Sequence, residues 1–273
     1  EEFGINMIPV ELTGEGPDLE SVRELVLQDQ SIKGIWCVPK HSNPTGEIYS
    51  KKTTEGLLKI SKEAEQNFKI FWDNAYAIHD FKDSTQLEDI FSLAKDIDAL
   101  DSVVAFASTS KMTYAGSGIG FLALSESNLD LFLKHYLALV IGPDKVNQAK
   151  HVKFFRKNGG VISHMKKHAE ILKPKFELVN NWLSKQNYGS WTKPTGGYFV
   201  SFTSQEGLAK EIINLASGLG LKLTPAGATF PYGVDPKDNI IRLAPTACNI
   251  KELDQAMEIF VCCVALATLR RNP

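Results

Sequence analysis

Residues 68–76, F-K-I-F-W-D-N-A-Y, join a short apolar strand to a carboxylate, an amide and a phenol that follow it directly. Short apolar runs bounded by polar residues are typical of strands buried in a parallel sheet. Similar runs at 32–38 and 102–107 are separated from it by amphipathic segments at 50–66 and 86–98. Strands that alternate with helical segments predict βαβ units, and therefore an α/β fold with a mainly parallel sheet flanked by helices.

The pattern changes in the second half of the chain, where long helical segments are joined to short strands. This change predicts a smaller C-terminal α+β domain, and we place the boundary near residue 145, which gives domains 1–145 and 146–273. Ser50 is a suitable N-cap for the predicted helix at 50–66. The remaining predicted elements are strands at 120–124, 197–202, 221–224 and 240–243 and helices at 128–141, 144–157, 161–185, 205–217 and 250–270.

The composition of the 273-residue chain excludes several classes of protein. It is 43% hydrophobic, which is ordinary for a soluble globular protein with a sizeable core. Its 30 Lys and Arg against 32 Asp and Glu give a net charge of −2. The chain therefore has no excess of positive charge that would predict binding to nucleic acid or to an anionic membrane. The longest apolar run, 259–269, is too short to cross a bilayer. Its four cysteines lack C-x-x-C spacing, which favours a reducing cytoplasm.

Reactive or polar side chains follow each of the first three predicted strands. Because ligands of open α/β sheets bind beyond the carboxyl ends of the strands, we expect these groups to meet in one crevice. Singly, each has an ordinary explanation as a turn, a cap or a solvated side chain, so the ordered set is the informative feature. The three groups are His41-Ser42-Asn43-Pro44-Thr45-Gly46, Asp73-x-x-Tyr76 and Ser108-x-Ser110-Lys111.

Together with Arg242 in I-I-R-L-A-P, these motifs resemble the class I aminotransferases, which are fold type I enzymes dependent on pyridoxal 5′-phosphate (PLP). The resemblance covers nearly the whole chain and implies a PLP-dependent transferase-like large domain and a homodimer. The chain starts with E-E-F-G, which is neither a signal peptide nor a translation start, so we expect the N-terminal part of that domain to be missing. The form S-K-x-T-x-A-G-x-G at 110–118 resembles a divergent subgroup that contains aspartate aminotransferases, which implies aspartate as an amino donor.

The resemblance assigns roles around the cofactor ring to four residues. Lys111 would form a Schiff base with PLP and then carry a proton between the substrate Cα and the cofactor C4′. Asp73 would pair with the protonated ring nitrogen, whose charge lets the ring accept electrons. Tyr76 would hydrogen-bond the phenolic oxygen of PLP, and Asn43 would donate to the same oxygen.

The resemblance also assigns residues to the substrate and the phosphate. Arg242 would bind the substrate α-carboxylate through two parallel hydrogen bonds, and Asn43 would line the same site. Ser108 and Ser110 would lie near the phosphate or the imine, although loop hydroxyls often satisfy local backbone groups instead. One position departs from the family: the arginine that usually follows the lysine by eight residues is Ile119 here. Which group replaces it stays open.

The function expected from this resemblance is amino-group transfer from an L-amino acid to a 2-oxo acid such as 2-oxoglutarate by a ping-pong mechanism. Two alternatives stay open. One is a PLP-dependent β-elimination lyase on the same scaffold, since Lys111 and Asp73 would serve both reactions. The other is a PLP-binding effector domain of a transcription regulator, although no basic recognition helix is present in the sequence.

Three weaker patterns are given ordinary interpretations. Gly116-x-Gly118-x-Gly120 lacks the spacing of a dinucleotide-binding loop. His164 and His168 are four residues apart with two lysines between them, which favours a solvated basic helix face over a metal site. His151 lies on a helical stretch with Asn147, Lys153 and Arg156, where a solvated face is at least as well supported as contact with a distal substrate carboxylate.

Overall fold

The structure is a computed structural model that describes residues 3–82 and 86–271. Within those residues no helix has both the length and the apolar character needed to cross a membrane. The helices are α1 (Leu19–Gln28), α2 (Lys51–Glu63), α3 (Ile90–Asp96), α4 (Glu126–Leu139), α5 (Lys145–Lys157), α6 (Gly160–Leu183), α7 (Ala209–Gly218) and α8 (Ile250–Arg271). The strands are β1 (Gly34–Cys37), β2 (Lys69–Asp73), β3 (Val103–Ser108), β4 (Gly120–Ala123), β5 (Ser190–Trp191), β6 (Val200–Thr203) and β7 (Ile240–Leu243).

The first four strands form one sheet in the order β1-β2-β3-β4. The first three strands run parallel, and β4 is antiparallel to β3. Ile70 in the middle of β2 pairs with Ile35 of β1 and Val103 of β3 and is fully buried. The core around it also takes buried side chains from α1, α2 and α3, such as Leu58 of α2. The predicted mainly parallel sheet flanked by helices is therefore confirmed.

The last three strands form a smaller antiparallel sheet in the order β5-β6-β7. Phe202 of β6 pairs with Ile241 of β7, and both side chains lie in a second core with residues of α6, α7 and α8, among them Phe260. Helices α4 and α5 contribute no described residue to the buried part of either core. The division into domains at residue 145 therefore stays a prediction.

Two helix starts show how local side chains set the element bounds. The Ser50 hydroxyl accepts the N–H of Thr53 at 3.1 Å, so the predicted N-cap of α2 is confirmed. Helix α3 starts at Ile90, four residues later than the predicted segment at 86–98, because the Asp89 carboxylate caps it by accepting the N–H of Phe91 at 3.1 Å.

The structure also differs from the predicted elements at 221–224 and at α1. The predicted strand at 221–224 is wrong, since this segment belongs to neither sheet. The N–H of Leu221 donates to the carbonyl of Ala216 at 2.9 Å and so completes the end of α7 instead of a strand ladder. Helix α1 was not predicted; it begins after Asp18, whose carboxylate accepts the N–H of Ser21, and it buries Val22.

Truncation of Ile70 tests the core of the first sheet. We expect Ile70→Ala to lower the free energy of unfolding by about 2–5 kcal/mol, because it removes a fully buried side chain from the central strand and leaves a cavity. The change is measured as a shift of the urea unfolding midpoint. Ile171→Ala on α6 is the control, since that side chain is 64% exposed and its loss should change stability by less than about 0.5 kcal/mol. Equal effects of the two variants would contradict this core assignment.

Candidate active site

The candidate site lies at the carboxyl ends of β1, β2 and β3. Because these strands are parallel, the loops that follow them leave the same edge of the sheet. Asp73 is the last residue of β2 and pairs with Phe106 of β3. The next N–H, of Asn74, donates to the carbonyl of Phe106 at 2.9 Å, which holds the two loops side by side.

The loop after β1 folds into a tight turn that carries Asn43. The N–H of Gly46 donates to the carbonyl of Ser42 at 2.6 Å, and the N–H of Ser42 donates to the carbonyl of Glu47 at 3.0 Å. Gly46 has a φ of +74°, and a Cβ there would lie 2.5 Å from Pro194. The turn therefore needs glycine both for its backbone conformation and for its close packing against the loop before β6.

Tyr76 lies at the centre of the site. Its side chain is buried, and its ring lies 5.7 Å from the ring of Tyr198. The pKa of Tyr76 is raised to about 12, mainly by burial and to a smaller extent by the neighbouring Tyr198 and Asp73, while Arg242 acts in the opposite direction. Asp73 and Arg242 therefore both lie close enough to act on this phenol. At neutral pH the phenol keeps its proton and can donate a hydrogen bond.

Lys111 reaches the same point from the end of β3. Its Nζ lies 5.0 Å from the centroid of the Tyr76 ring. A turn places it there, in which the N–H groups of Met112 and Thr113 donate to the carbonyl of Thr109 at 2.9 and 3.0 Å. The predicted carboxylate, phenol and amine are thus brought together around Tyr76.

Arg242 comes from β7 of the second sheet and meets the loop after β1. Its Nη1 donates to Oδ1 of Asn43 at 2.9 Å, and its guanidinium carbon lies 4.5 Å from the centroid of the Phe199 ring. The buried Nε of Arg242 has no hydrogen-bond partner among the described residues. Its Nη2 also donates to the Thr224 hydroxyl at 3.4 Å. A guanidinium oriented in this way by an amide, a hydroxyl and an aromatic ring is suited to binding a carboxylate.

Ser108 and Ser110 bond to each other. The Ser108 hydroxyl donates to the Ser110 hydroxyl at 2.8 Å and accepts the N–H of Ser110 at 3.0 Å. Gly118 packs against Ser110 so closely that a Cβ would lie 2.6 Å from the Ser110 nitrogen. The Ser108 hydroxyl thus bonds both a local backbone group and the Ser110 hydroxyl, and a contact of either serine with a phosphate stays a prediction.

The backbone of Ile119 forms two hydrogen bonds with Thr109. Its N–H donates to the Thr109 hydroxyl at 2.8 Å, and its carbonyl accepts the N–H of Thr109 at 3.0 Å. These two bonds fasten the loop at 116–119 to the turn that carries Lys111. The side chain at this position supplies no charge that could bind an anion.

Three histidines expected on solvated faces have partners inside the protein, so that expectation is wrong: His151 and His164 contact residues 112–113, next to Lys111, and His168 contacts Tyr198. Nε2 of His164 donates to the carbonyl of Met112 at 2.7 Å, and Nε2 of His168 lies 3.3 Å from the Tyr198 hydroxyl. His151 is buried, and its Nε2 lies 2.9 Å from the Thr113 hydroxyl. The spacing of His164 and His168 indicates one face of α6, and His151 lies on α5, but neither pattern carries a signal that these faces meet other residues of the site.

Solved structures share this fold. An aspartate transaminase from Corynebacterium glutamicum superimposes with a TM-score of 0.94 at 37% identity, covering 100% of this chain and 65% of that chain. A multiple substrate aminotransferase from Thermococcus profundus gives a TM-score of 0.83 at 22% identity over 96% of this chain and 64% of that chain, a likeness that shows the fold alone. The fold is therefore that of the aminotransferases.

The chain belongs to the aspartate amino-transferase family, whose model matches residues 1–272. A protein of Mycolicibacterium smegmatis is 42% identical over 272 residues, which are 98% of this chain and 63% of that protein. The aspartate aminotransferase of Corynebacterium glutamicum is 39% identical over 272 residues, which are 98% of this chain and 62% of that protein. The chain thus spans less than two thirds of the length of these two relatives.

Proposed function

We propose that the protein is a PLP-dependent aminotransferase that moves the amino group of L-aspartate to a 2-oxo acid such as 2-oxoglutarate by a ping-pong mechanism. The observation that carries the proposal is the meeting of Lys111, Asp73 and Arg242 around the Tyr76 ring. The Corynebacterium relative named as an aspartate aminotransferase, at 39% identity, supports aspartate as donor. The lyase and regulator alternatives are not favoured by these relatives. A cytoplasmic homodimer of two-domain subunits completes the proposal.

The donor set around Tyr76 fits PLP. Asp73 supplies an anion for a protonated ring nitrogen, and the protonated phenol of Tyr76 supplies a donor for the phenolic oxygen. Since Oδ1 of Asn43 accepts from Arg242, the amide presents its Nδ2 group as a second donor for that oxygen. For the phosphate, the chain offers the Ser108 and Ser110 hydroxyls and no cation at Ile119. The described residues therefore offer more partners to the PLP ring than to its phosphate.

When bound, PLP supplies the electron sink that makes the substrate Cα proton acidic. Lys111 supplies the amine that removes this proton and returns it, since it is the base placed over the Tyr76 ring. Asp73 would hold a negative charge for the protonated ring nitrogen of PLP. Arg242 binds the α-carboxylate, and its bond to Asn43 fixes the plane of the guanidinium before the substrate arrives.

The reaction is tested with the full-length protein, L-aspartate and 2-oxoglutarate. We expect oxaloacetate and glutamate to form in equal amounts, with the parallel double-reciprocal plots of a ping-pong mechanism. Pyruvate and ammonia in their place would identify the β-elimination lyase. Cofactor-dependent DNA binding without turnover would identify the regulator.

Arg242→Lys tests the carboxylate site. We expect kcat/KM for aspartate to fall about 100-fold, mainly through KM, because a lysine cannot reproduce two parallel bonds to a carboxylate. Steady-state kinetics at several aspartate concentrations measure it. Arg23→Lys is the matched control, since Arg23 forms an exposed ion pair with Glu63. A KM for aspartate unchanged in Arg242→Lys would remove this residue from the carboxylate site.

A further inference from the structure

The carbonyl oxygen of Lys111 receives two hydrogen bonds from side chains of distant segments. The hydroxyl of Tyr198 donates to it at 2.7 Å, and Nε2 of His79 lies 3.2 Å from it. A carbonyl oxygen has two lone pairs, so both are used. Nε2 of His164 donates to the next carbonyl, of Met112, at 2.7 Å. We call residues 111–113 the Lys111 turn.

The protons of this arrangement can be assigned from the acceptors. Because a carbonyl only accepts, Nε2 of His79 must carry the proton that bonds Lys111. The Tyr198 hydroxyl has one proton and gives it to Lys111, so Nε2 of His168, 3.3 Å away, must donate to the Tyr198 oxygen. His168 therefore donates to Tyr198, and Tyr198 donates to the carbonyl of Lys111. His79 donates to the same carbonyl as a second, separate donor.

Burial and aromatic packing keep His79 as a neutral donor to the Lys111 carbonyl. It is buried, and its ring lies 5.6 Å from Tyr76, 5.4 Å from Tyr198 and 5.8 Å from His168. Burial lowers the pKa of His79 to about 4, so the ring is neutral at pH 7 and has a single N–H, which bonds Lys111. The Tyr76 ring that packs on His79 also lies under the Lys111 amine.

We propose that His79 and Tyr198 are positioning residues for Lys111, which hold its backbone by saturating its carbonyl oxygen and so fix where its amine reaches the reacting carbon. The lysine side chain has four rotatable bonds, so only a fixed backbone limits the region that Nζ can search. Misplacement of a reacting group by about 1 Å costs on the order of 100-fold in rate. The proposal rests on the proposed aminotransferase function.

Tyr198→Phe tests the proposal, because it keeps the ring packing and removes the donor. We expect kcat to fall about tenfold with KM for aspartate within twofold of wild type. We also expect amide hydrogen exchange at 111–113 to become at least about tenfold faster in the cofactor-free protein. Tyr188→Phe is the matched control, since Tyr188 packs beside the second core. A merely structural hydroxyl would lower the melting temperature and leave kcat and local exchange unchanged, and that result would overturn the proposal.

His79 is tested by rescue. The amide nitrogen of His79→Gln can take the place of Nε2, so this variant should keep kcat within about threefold of wild type. His79→Leu has no donor and should lose at least tenfold in kcat. Equal kcat in the two variants would overturn the role of His79. If the wild-type protein transfers no amino group, the proposed function fails, while the exchange at 111–113 still decides whether these donors hold the turn.

Discussion

Alanine in place of Lys111 is expected to lower kcat for amino-group transfer by about 10⁴-fold or more. A positioned side chain that transfers a proton contributes roughly 10²–10⁴-fold, and covalent attachment of the cofactor adds to this. The measurement is the rate of glutamate formation from 2-oxoglutarate and aspartate by the full-length protein. The visible absorbance of the attached cofactor should also disappear.

The control for Lys111→Ala is Lys59→Ala, since Lys59 is exposed on α2. This variant should keep both the absorbance and the rate. If Lys111→Ala retained the band and turned over at the wild-type rate, another amine would carry the reaction, and the proximity of Lys111 to Tyr76 would have no catalytic meaning.

Asparagine in place of Asp73 is expected to keep the colour of the bound cofactor and to lower kcat about 10²–10³-fold. The two side chains have nearly the same shape, but only the carboxylate carries the charge that keeps the ring nitrogen protonated, and removal of one such electrostatic group typically costs this much. The absorbance and kcat are measured on the same preparation. Asp96→Asn, an exposed position at the end of α3, is the control. Near-normal turnover in Asp73→Asn would take the electrostatic role away from this residue.

Much of the fold could be predicted because its signals are local. Ser50 caps α2 through a bond to Thr53, three residues away, and β7 occupies the predicted residues 240–243. The segment 221–224 has the same apolar character as a strand, but its first N–H turns back to Ala216. Hydrophobic periodicity indicates which side chains are buried, but it does not determine which carbonyl accepts the hydrogen bond of a given N–H.

In the candidate site, too, some residues could be predicted from the sequence and others could not. Asp73 and Lys111 lie at the same edge of the sheet because β2 and β3 are parallel and each residue lies at or just after the end of its strand. Their positions in the sequence are therefore enough to select them. The donors on Lys111 could not be selected in this way, because His79 and Tyr198 lie 32 and 87 positions away in the chain. Their importance depends on a tertiary contact with a backbone oxygen, which leaves no motif in the sequence.

The hydrogen bond from Arg242 to Asn43 joins residues that are 199 positions apart. Contacts of such separation are slow to form, because a long loop must close before they contribute to stability. During synthesis, the segments that carry the amine, the carboxylate and the phenol leave the ribosome well before β7. A chain that stops short of residue 240 therefore contains its proton-transfer groups and lacks the arginine proposed to bind an acid substrate.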